Sequence, residues 1–153
     1  MWRTANDEGL AICPLIDPPF LASVERMLRR FPGTKVVIDH FARIGIDGMI
    51  RAAELDQLCA LAEYERVHVK VSAYYALGRK QAPYTDLGPM IRKVLDAYGA
   101  SRAMWGSDAP YQVLEGHTYG DSLALLTDND KLQLTAEERS EVLRGTAERL
   151  FFP

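Results

Sequence analysis

A chain of 153 residues with 48% hydrophobic and 25% charged residues has the composition of a folded globular domain and is long enough to bury one core. Its formal net charge of −3, without a basic run, argues against a nucleic-acid-binding surface. No apolar stretch approaches the ~20 residues that a membrane helix needs, so we expect a soluble, cytoplasmic protein.

Four short apolar runs have the length and content of β-strands, although the first contains Pro14. The runs are residues 10–16 (LAICPLI), 35–40 (KVVIDH), 67–73 (VHVKVSA) and 102–108 (RAMWGSD). Near-continuous apolar runs are typical of strands that are buried on both faces of a parallel sheet. Cys13 and Cys59 have neither a disulfide-framework nor a zinc-site spacing, and we expect buried free thiols.

Amphipathic patterns separate the runs and predict helices over residues 18–31, 52–64 and 87–98. After the fourth run, a long loop precedes a helix over residues 135–144 and a short helix toward Phe151. Thr135 and Glu138 have the spacing of a capping box at the start of that helix. The chain therefore alternates strand and helix throughout, which predicts one undivided α/β domain over residues 1–153 with a parallel sheet and right-handed crossovers.

Two architectures fit this order of elements. One is a doubly wound sheet of four or five strands, and the other is half of a (β/α)8 barrel, which needs about 250 residues in full. No G-x-G-x-x-G or Walker motif follows any strand, which disfavours the nucleotide-binding versions of the doubly wound fold.

Polar side chains end three successive predicted strands. His40 ends the second, Lys70 and Ser72 lie near the end of the third, and Asp108 ends the fourth. Because the carboxyl ends of parallel strands meet at one edge of the sheet, these residues predict a shared pocket for a metal, a proton or an anion. Asp39 is expected to point away from His40, because alternate residues of a strand face opposite sides.

Each of these residues also has a purely structural interpretation. His40 can be a core or capping histidine, and Lys70 can extend from the strand end into water. Ser72 can be a turn residue, and Asp108 before Ala-Pro can be a helix N-cap. The functional interpretation therefore depends on the residues coming together.

Other candidates near these strand ends are weaker. His68 lies too deep in its strand for chemistry, and His117 lies in a polar loop, so neither is expected to be a ligand. One tyrosine of the pair Tyr74 and Tyr75 is expected to line the pocket, and we take Tyr74 as the candidate substrate-binding residue.

The motifs KVVIDH, VHVKVSA, RAMWGSDAP and EVLRGTAERLF, in this order and spacing, resemble the second half of the amidohydrolase-related (amidohydrolase 2) family. These are metal-dependent TIM-barrel hydrolases, in a branch that includes lactonases and aminocarboxymuconate-semialdehyde-type decarboxylases. The resemblance covers about residues 10–153. It implies an α/β fold of parallel βα repeats that forms the C-terminal half, about strands 5–8, of a (β/α)8 TIM barrel.

The resemblance also implies roles for single residues. His40 would be the histidine at the end of barrel strand six, a metal ligand or substrate-polarising group. Asp108 would be the strand-eight aspartate, which ligates the metal and takes a proton from the attacking water. Both are thus candidate catalytic residues and candidate ligands of a divalent metal, zinc in the first place and manganese as the alternative. Lys70 and Ser72 would face the substrate.

One family feature is missing from this chain. The family's first strand carries an H-x-H pair that supplies two metal ligands, whereas this chain has histidines at 40, 68 and 117 only. We therefore expect an incomplete site, a truncated or split protein, and a chain that alone binds metal poorly and is weak or inactive. Two exposed strand edges also predict self-association into a homo-oligomer, or pairing with an N-terminal half-barrel partner.

Three functions stay open at this point. The first is a metal-dependent hydrolase acting on a lactone or a related small carboxylated substrate. The second is a non-oxidative decarboxylase on the same scaffold. The third is a non-catalytic half-barrel fragment, which the missing H-x-H pair favours.

Overall fold

The computed structural model describes residues 1–128 and 132–152, which form four strands and seven α-helices joined by short 3-10 turns. The strands are β1 (Ala11–Ile12), β2 (Lys35–Ile38), β3 (Val67–Ser72) and β4 (Ala103–Gly106). The helices are α1 (Trp2–Glu8), α2 (Leu21–Arg30), α3 (Ala52–Ala60), α4 (Gly88–Tyr98), α5 (Tyr119–Thr127), α6 (Ala136–Ser140) and α7 (Thr146–Phe151). A π-helical turn, Glu141–Gly145, joins α6 to α7.

All four strands are parallel and lie in the order β1-β2-β3-β4. Val36 of β2 pairs with Val67 of β3, and Val69 pairs with Ala103 of β4. A doubly wound sheet reverses its strand order at a switch point, whereas this sheet proceeds in one direction, as a barrel does. The structure therefore confirms the prediction of parallel βα repeats arranged as half of a (β/α)8 barrel.

The core lies between one face of the sheet and the helices. Val67, Val69 and Val71 alternate along β3 and are fully buried against the helices. His68 and Lys70 lie on the opposite face and are only partly buried. Helices thus cover one face, and the other carries the polar residues of β3, as expected for strands that line the inside of a barrel.

The predicted capping box is confirmed. The Thr135 hydroxyl accepts a hydrogen bond from the Glu138 amide at 3.1 Å, and the Thr135 amide donates to Glu138 Oε2 at 2.8 Å. Two helices were not predicted. Helix α1 is too polar for its apolar periodicity to be apparent, and α5 lies in the segment that was predicted to be a loop, where Thr118 caps it.

The prediction of buried cysteines is wrong for Cys13, which is exposed, while Cys59 is partly buried. Cys13 directly follows β1, whose sheet neighbour among the described residues is β2. No helix of the described residues is long and apolar enough to cross a membrane.

Candidate functional site

A cavity of about 270 Å³ opens where the carboxyl ends of β2, β3 and β4 meet. Its wall combines the predicted residues His40 and Asp108 with aliphatic and aromatic side chains. The remaining lining residues are Leu15, Arg43, Ile46, Ala73, Tyr75, Ala76, Leu77 and Tyr111. Of the polar residues predicted at the strand ends, His40 and Asp108 therefore line the same cavity.

His40 reaches this cavity through an unusual turn after β2. Four consecutive non-glycine residues, His40 to Arg43, have φ values between +50° and +57°. Each such residue costs roughly 1–2 kcal/mol for an L-amino acid. The complete burial of Phe41 and Ala42 against the core offsets this strain. Strained backbone of this kind concentrates at functional sites, where the surrounding structure holds it in place.

The imidazole of His40 contacts both other predicted strand ends. Its Nδ1 lies 2.7 Å from Ser72 Oγ, and its Nε2 lies 3.6 Å from Asp108 Oδ1. Burial lowers the pKa of His40, while the neighbouring Asp108 carboxylate acts in the opposite direction to a lesser degree. The ring is therefore mainly neutral at pH 7 and offers one ring nitrogen toward the cavity.

Asp108 is fixed from its other side by a tyrosine. The Tyr75 hydroxyl donates a hydrogen bond of 2.8 Å to Asp108 Oδ2, which leaves Oδ1 facing His40. Burial and the hydrogen bond to this carboxylate both raise the pKa of Tyr75, so that it stays protonated and remains a donor. Asp108 itself has φ +56°, which turns the chain sharply at the end of β4.

Ser72 does not line the cavity. It is fully buried, and its hydroxyl contacts His40 Nδ1, so the predicted contact with substrate is replaced by a contact that orients the histidine. The order Ser72–His40–Asp108 resembles a nucleophilic triad, but a serine with no exposed surface cannot attack a substrate. The Ser72 hydroxyl instead fixes His40 through Nδ1, and the Nε2 atom of the ring faces Asp108 and the cavity.

Lys70 also lies away from the cavity wall. Its Nζ is 2.7 Å from Asp39 Oδ1, and the two side chains are 30% and 13% exposed. The expectation that Asp39 points away from His40 is not confirmed, because Asp39 contacts Lys70 and His40 contacts Ser72, and these two partners lie on the same face of β3. Strand β2 ends at Ile38, so the alternation of a strand does not extend to Asp39 and His40. In this chain the lysine serves as the partner of a half-buried carboxylate.

The predicted role of Tyr74 is corrected by the structure. Its ring is fully buried, packs at 6.0 Å from the Tyr84 ring, and its hydroxyl donates to the Val71 carbonyl at 3.2 Å. The next residue, Tyr75, points into the cavity instead, because Ala73 adopts a left-handed conformation that turns the chain after β3. His68 and His117 lie outside the cavity wall, as expected, and His117 Nδ1 pairs with the Tyr84 hydroxyl at 2.8 Å.

Arg43 and the apolar wall of the cavity were not predicted from the sequence. Arg43 lines the cavity, and its guanidinium lies 3.3 Å from the Asp17 carboxylate. Its place in the cavity depends on the left-handed turn at His40–Arg43, which contains no glycine and therefore gives no signal in the sequence. Leu15, Ile46 and Leu77 come from three different loops, and no local pattern identifies residues that meet only through the fold.

His40 and Asp108 fit two positions around a metal ion. Two ligands of a tetrahedral zinc ion, each at 2.0–2.2 Å from it, lie about 3.4 Å apart, close to the 3.6 Å between His40 Nε2 and Asp108 Oδ1. Ser72 and Tyr75 hold the far side of each ligand, as outer partners do in metal sites. Within residues 1–128 and 132–152, however, no three His, Cys, Asp or Glu side chains form a metal-binding group.

Comparisons with known proteins identify the family of this chain. The family model described as Amidohydrolase matches residues 2–152. The L-fucono-1,5-lactonase of Burkholderia ambifaria is 34% identical over 143 residues, which is 90% of this chain and 48% of the relative. The 4-sulfomuconolactone hydrolase of Rhizobium radiobacter is 28% identical over 109 residues, which is 71% of this chain and 34% of the relative.

A solved structure shows the same fold. An amidohydrolase from Burkholderia multivorans with bound zinc superposes with a TM-score of 0.86 at 24% identity, over 97% of this chain and 55% of that chain. The chain thus spans about half, or less, of the length of the relatives that it matches.

Proposed function

The chain belongs to the amidohydrolase family, and from this premise we propose that it supplies part of the active site of a metal-dependent hydrolase that opens a small lactone or a related carboxylated molecule. His40 and Asp108 are the proposed catalytic residues and metal ligands, with zinc as the preferred metal and manganese as the alternative. The small-molecule substrate would occupy the cavity beside them.

One observation carries the proposal. His40 Nε2 and Asp108 Oδ1 face the same cavity 3.6 Å apart, and a separate hydrogen bond fixes the far side of each group. Two side chains that merely stabilised the fold would gain most from direct contact with each other. Two donor atoms at this separation can instead bind one cation together, as two ligands of a tetrahedral ion do.

A divalent cation bound here would lower the pKa of a coordinated water and supply the hydroxide that attacks a lactone carbonyl. The residues of this chain have the remaining tasks. Asp108 Oδ1 can accept a proton from water on the cavity side, because Tyr75 holds the other oxygen. His40, kept neutral by burial, presents a lone pair or an N–H to the same point.

The walls of the cavity support small-molecule chemistry. Ile46, Ala73 and Leu77 shield one side of the reacting groups from water, which strengthens electrostatic interactions within the site. Arg43 provides a cation within reach of a substrate carboxylate. Both curated relatives are lactone hydrolases by name, which supports hydrolysis over the decarboxylase alternative.

Metal content and lactone turnover of the purified chain test this proposal. His40→Gln and Asp108→Asn keep the shapes of the side chains and remove the proposed ligands. Matched controls are His68→Gln, outside the cavity, and Asp96→Asn, on the surface of α4. We expect bound zinc or manganese, measured by mass spectrometry, and any hydrolysis of L-fucono-1,5-lactone to fall in the first pair only.

Equal, non-zero metal content in all five proteins would contradict the proposal, because the metal would then bind without His40 and Asp108. If metal is bound without lactone turnover, the ligands are right and the substrate is wrong.

A further inference from the structure

The segment between β4 and α5, residues 107–118, carries Asp108 at its start and a buried amide in its middle. Of these residues, Gln112 alone is fully buried, whereas the others are exposed or partly exposed. A buried amide is costly unless its hydrogen bonds are made, so such a residue is informative in a surface segment. We propose that Gln112 is a positioning residue, which holds Asp108 in the candidate site by tying this segment to the loop after β3.

Gln112 connects both ends of the segment to a residue outside it. Its Nε2 donates to the Tyr84 hydroxyl and to the Thr118 carbonyl, each at 3.2 Å. Its backbone amide donates to the Asp108 carbonyl, also at 3.2 Å. Thr118 is the N-cap of α5 and Tyr84 lies in the loop after β3, so one side chain joins three parts of the fold.

Tyr84 is itself anchored in the core. Its ring is 1% exposed and packs against the Tyr74 ring, with the centroids 6.0 Å apart. The His117 imidazole stacks on it at 5.9 Å, and His117 Nδ1 lies 2.8 Å from the Tyr84 hydroxyl. Because close-packed interiors resist displacement, a hydroxyl held in this way is a fixed point for the segment to dock on.

The chemistry of the partners sets the direction of these hydrogen bonds. A carbonyl oxygen only accepts, so Gln112 turns its NH2 group toward Thr118, and the same group donates to the Tyr84 oxygen. The Tyr84 proton is then donated to His117 Nδ1. Each bond in this chain of donors supports the next, and the chain depends on the Gln112 amide at its start.

The network reaches Asp108 along two routes. The first is the backbone bond from Gln112 to the Asp108 carbonyl, across the turn in which Asp108 has φ +56°. The second passes through His117, whose ring lies 6.0 Å from the ring of Tyr75. Tyr75 is the donor to Asp108 Oδ2, so the network supports both the backbone and the hydrogen-bond partner of the carboxylate. The effect on metal binding rests on the proposed function, whereas the docking of the segment does not.

Two substitutions remove the anchor and keep the approximate shapes of the side chains. Gln112→Met removes the amide, and Tyr84→Phe removes the hydroxyl. Two controls make the same chemical changes elsewhere. Gln81→Met changes an exposed glutamine in the loop after β3, and Tyr74→Phe removes an equally buried hydroxyl, one that donates to the Val71 carbonyl. Circular dichroism establishes that each variant folds.

Hydrogen–deuterium exchange of the full chain measures the docking of the segment. The amides of Val113, Leu114 and His117 are hydrogen-bonded within it, and we expect them to exchange at least tenfold faster in both anchor variants. Nuclear magnetic resonance of protein labelled at the tyrosine Cζ carbons reports on the hydrogen bond from Tyr75 to Asp108. The Tyr75 resonance should move in both anchor variants toward its position in Asp108→Ala. Both controls should leave the resonance in place and change the exchange rates less than twofold.

Three results would overturn the inference. Unchanged exchange in both anchor variants would show that the segment docks without Gln112. Faster exchange with an unchanged Tyr75 resonance would show that Asp108 keeps its partner when the segment opens. The same changes in Tyr74→Phe would mean that any loss of a buried hydroxyl displaces the carboxylate, so that Gln112 has no particular role.

Zinc affinity of the same samples tests the proposed function separately. A displaced Tyr75 resonance together with a zinc affinity about tenfold lower in Gln112→Met supports both the inference and the proposed function. A displaced resonance with the zinc affinity of the wild type supports the positioning of Asp108 by Gln112. That result contradicts the proposed function, because Asp108 would then not be a ligand.

Discussion

The Tyr75 hydroxyl donates to one oxygen of the Asp108 carboxylate at 2.8 Å, while the other oxygen faces His40 Nε2 at 3.6 Å. A carboxylate held in this way cannot rotate to exchange its two oxygens without losing a hydrogen bond. The hydrogen bond from Tyr75 therefore determines which oxygen of Asp108 faces the cavity. In metal sites, the loss of such an outer partner typically lowers metal affinity 10- to 100-fold.

Tyr75→Phe should weaken zinc binding by about 10- to 100-fold without removing a metal ligand. The ring remains in place, so only the hydrogen bond to Asp108 is lost. Competition with a chromophoric chelator measures the change. Tyr111→Phe is the control, because Tyr111 lines the same cavity but is 58% exposed. Equal zinc affinity in both variants would mean that Tyr75 does not orient the carboxylate.

The strand ends show what local sequence can and cannot predict. His40 and Asp108 were predicted from their positions, because the carboxyl ends of parallel strands must meet at one edge. Tyr74 and Tyr75 both follow β3 closely, and their sequence positions alone do not decide which of them faces the cavity. Ala73 breaks the alternation of β3 with φ +59°, a conformation that an alanine gives no sequence signal for.

Some of the helices were predicted from the local sequence, and others were not. Helices α2 and α4 were predicted because each has a continuous apolar stripe that the sheet buries. Helices α1 and α5 were missed, since α1 buries only Ala5 and α5 lies in a segment that begins with polar residues. Arg43 was missed for a different reason: its place in the cavity depends on the left-handed turn at His40–Arg43, which no glycine announces.

Ser72→Ala should destabilise the fold by about 1–3 kcal/mol, because His40 Nδ1 would lose its partner in a buried position. The free energy of unfolding in urea measures this cost. Ser101→Ala is the control, since Ser101 is exposed and its loss should change stability by less than about 0.5 kcal/mol. Equal stability of the two variants would show that the Ser72 hydroxyl does not hold the ring.

Gly78→Ala should be clearly more destabilising than Gly9→Ala, although both glycines have positive φ values of +57° and +67°. A Cβ at Gly78 would lie 2.7 Å from Leu87 Cδ2 and would also clash with the Asp86 carboxylate, whereas a Cβ at Gly9 meets nothing within 4 Å. Backbone strain costs about 1–2 kcal/mol in both, and overpacking adds about 1–3 kcal/mol at Gly78. Thermal unfolding followed by circular dichroism gives the difference, and equal melting temperatures would contradict the tight packing of this loop.

The stability that Glu138 contributes should depend on pH. The pair with Arg92, at 2.9 Å, and then the Thr135 amide lower the pKa of Glu138 from 4.5. A carboxyl group whose pKa falls on folding stabilises the folded state above its unfolded pKa, and this contribution is lost as the pH falls through the folded value. Glu138→Gln should therefore cost up to about 1 kcal/mol at pH 7 and progressively less below pH 4.5.

Urea unfolding of the wild type and of Glu138→Gln at a series of pH values between 7 and about 3 measures this prediction. Glu137→Gln is the control, since Glu137 is exposed on the same helical turn and its replacement should leave the pH dependence of stability unchanged. A stability difference for Glu138→Gln that stays constant as the pH falls through the folded pKa would contradict the prediction, because only an ionised carboxylate attracts the Arg92 guanidinium.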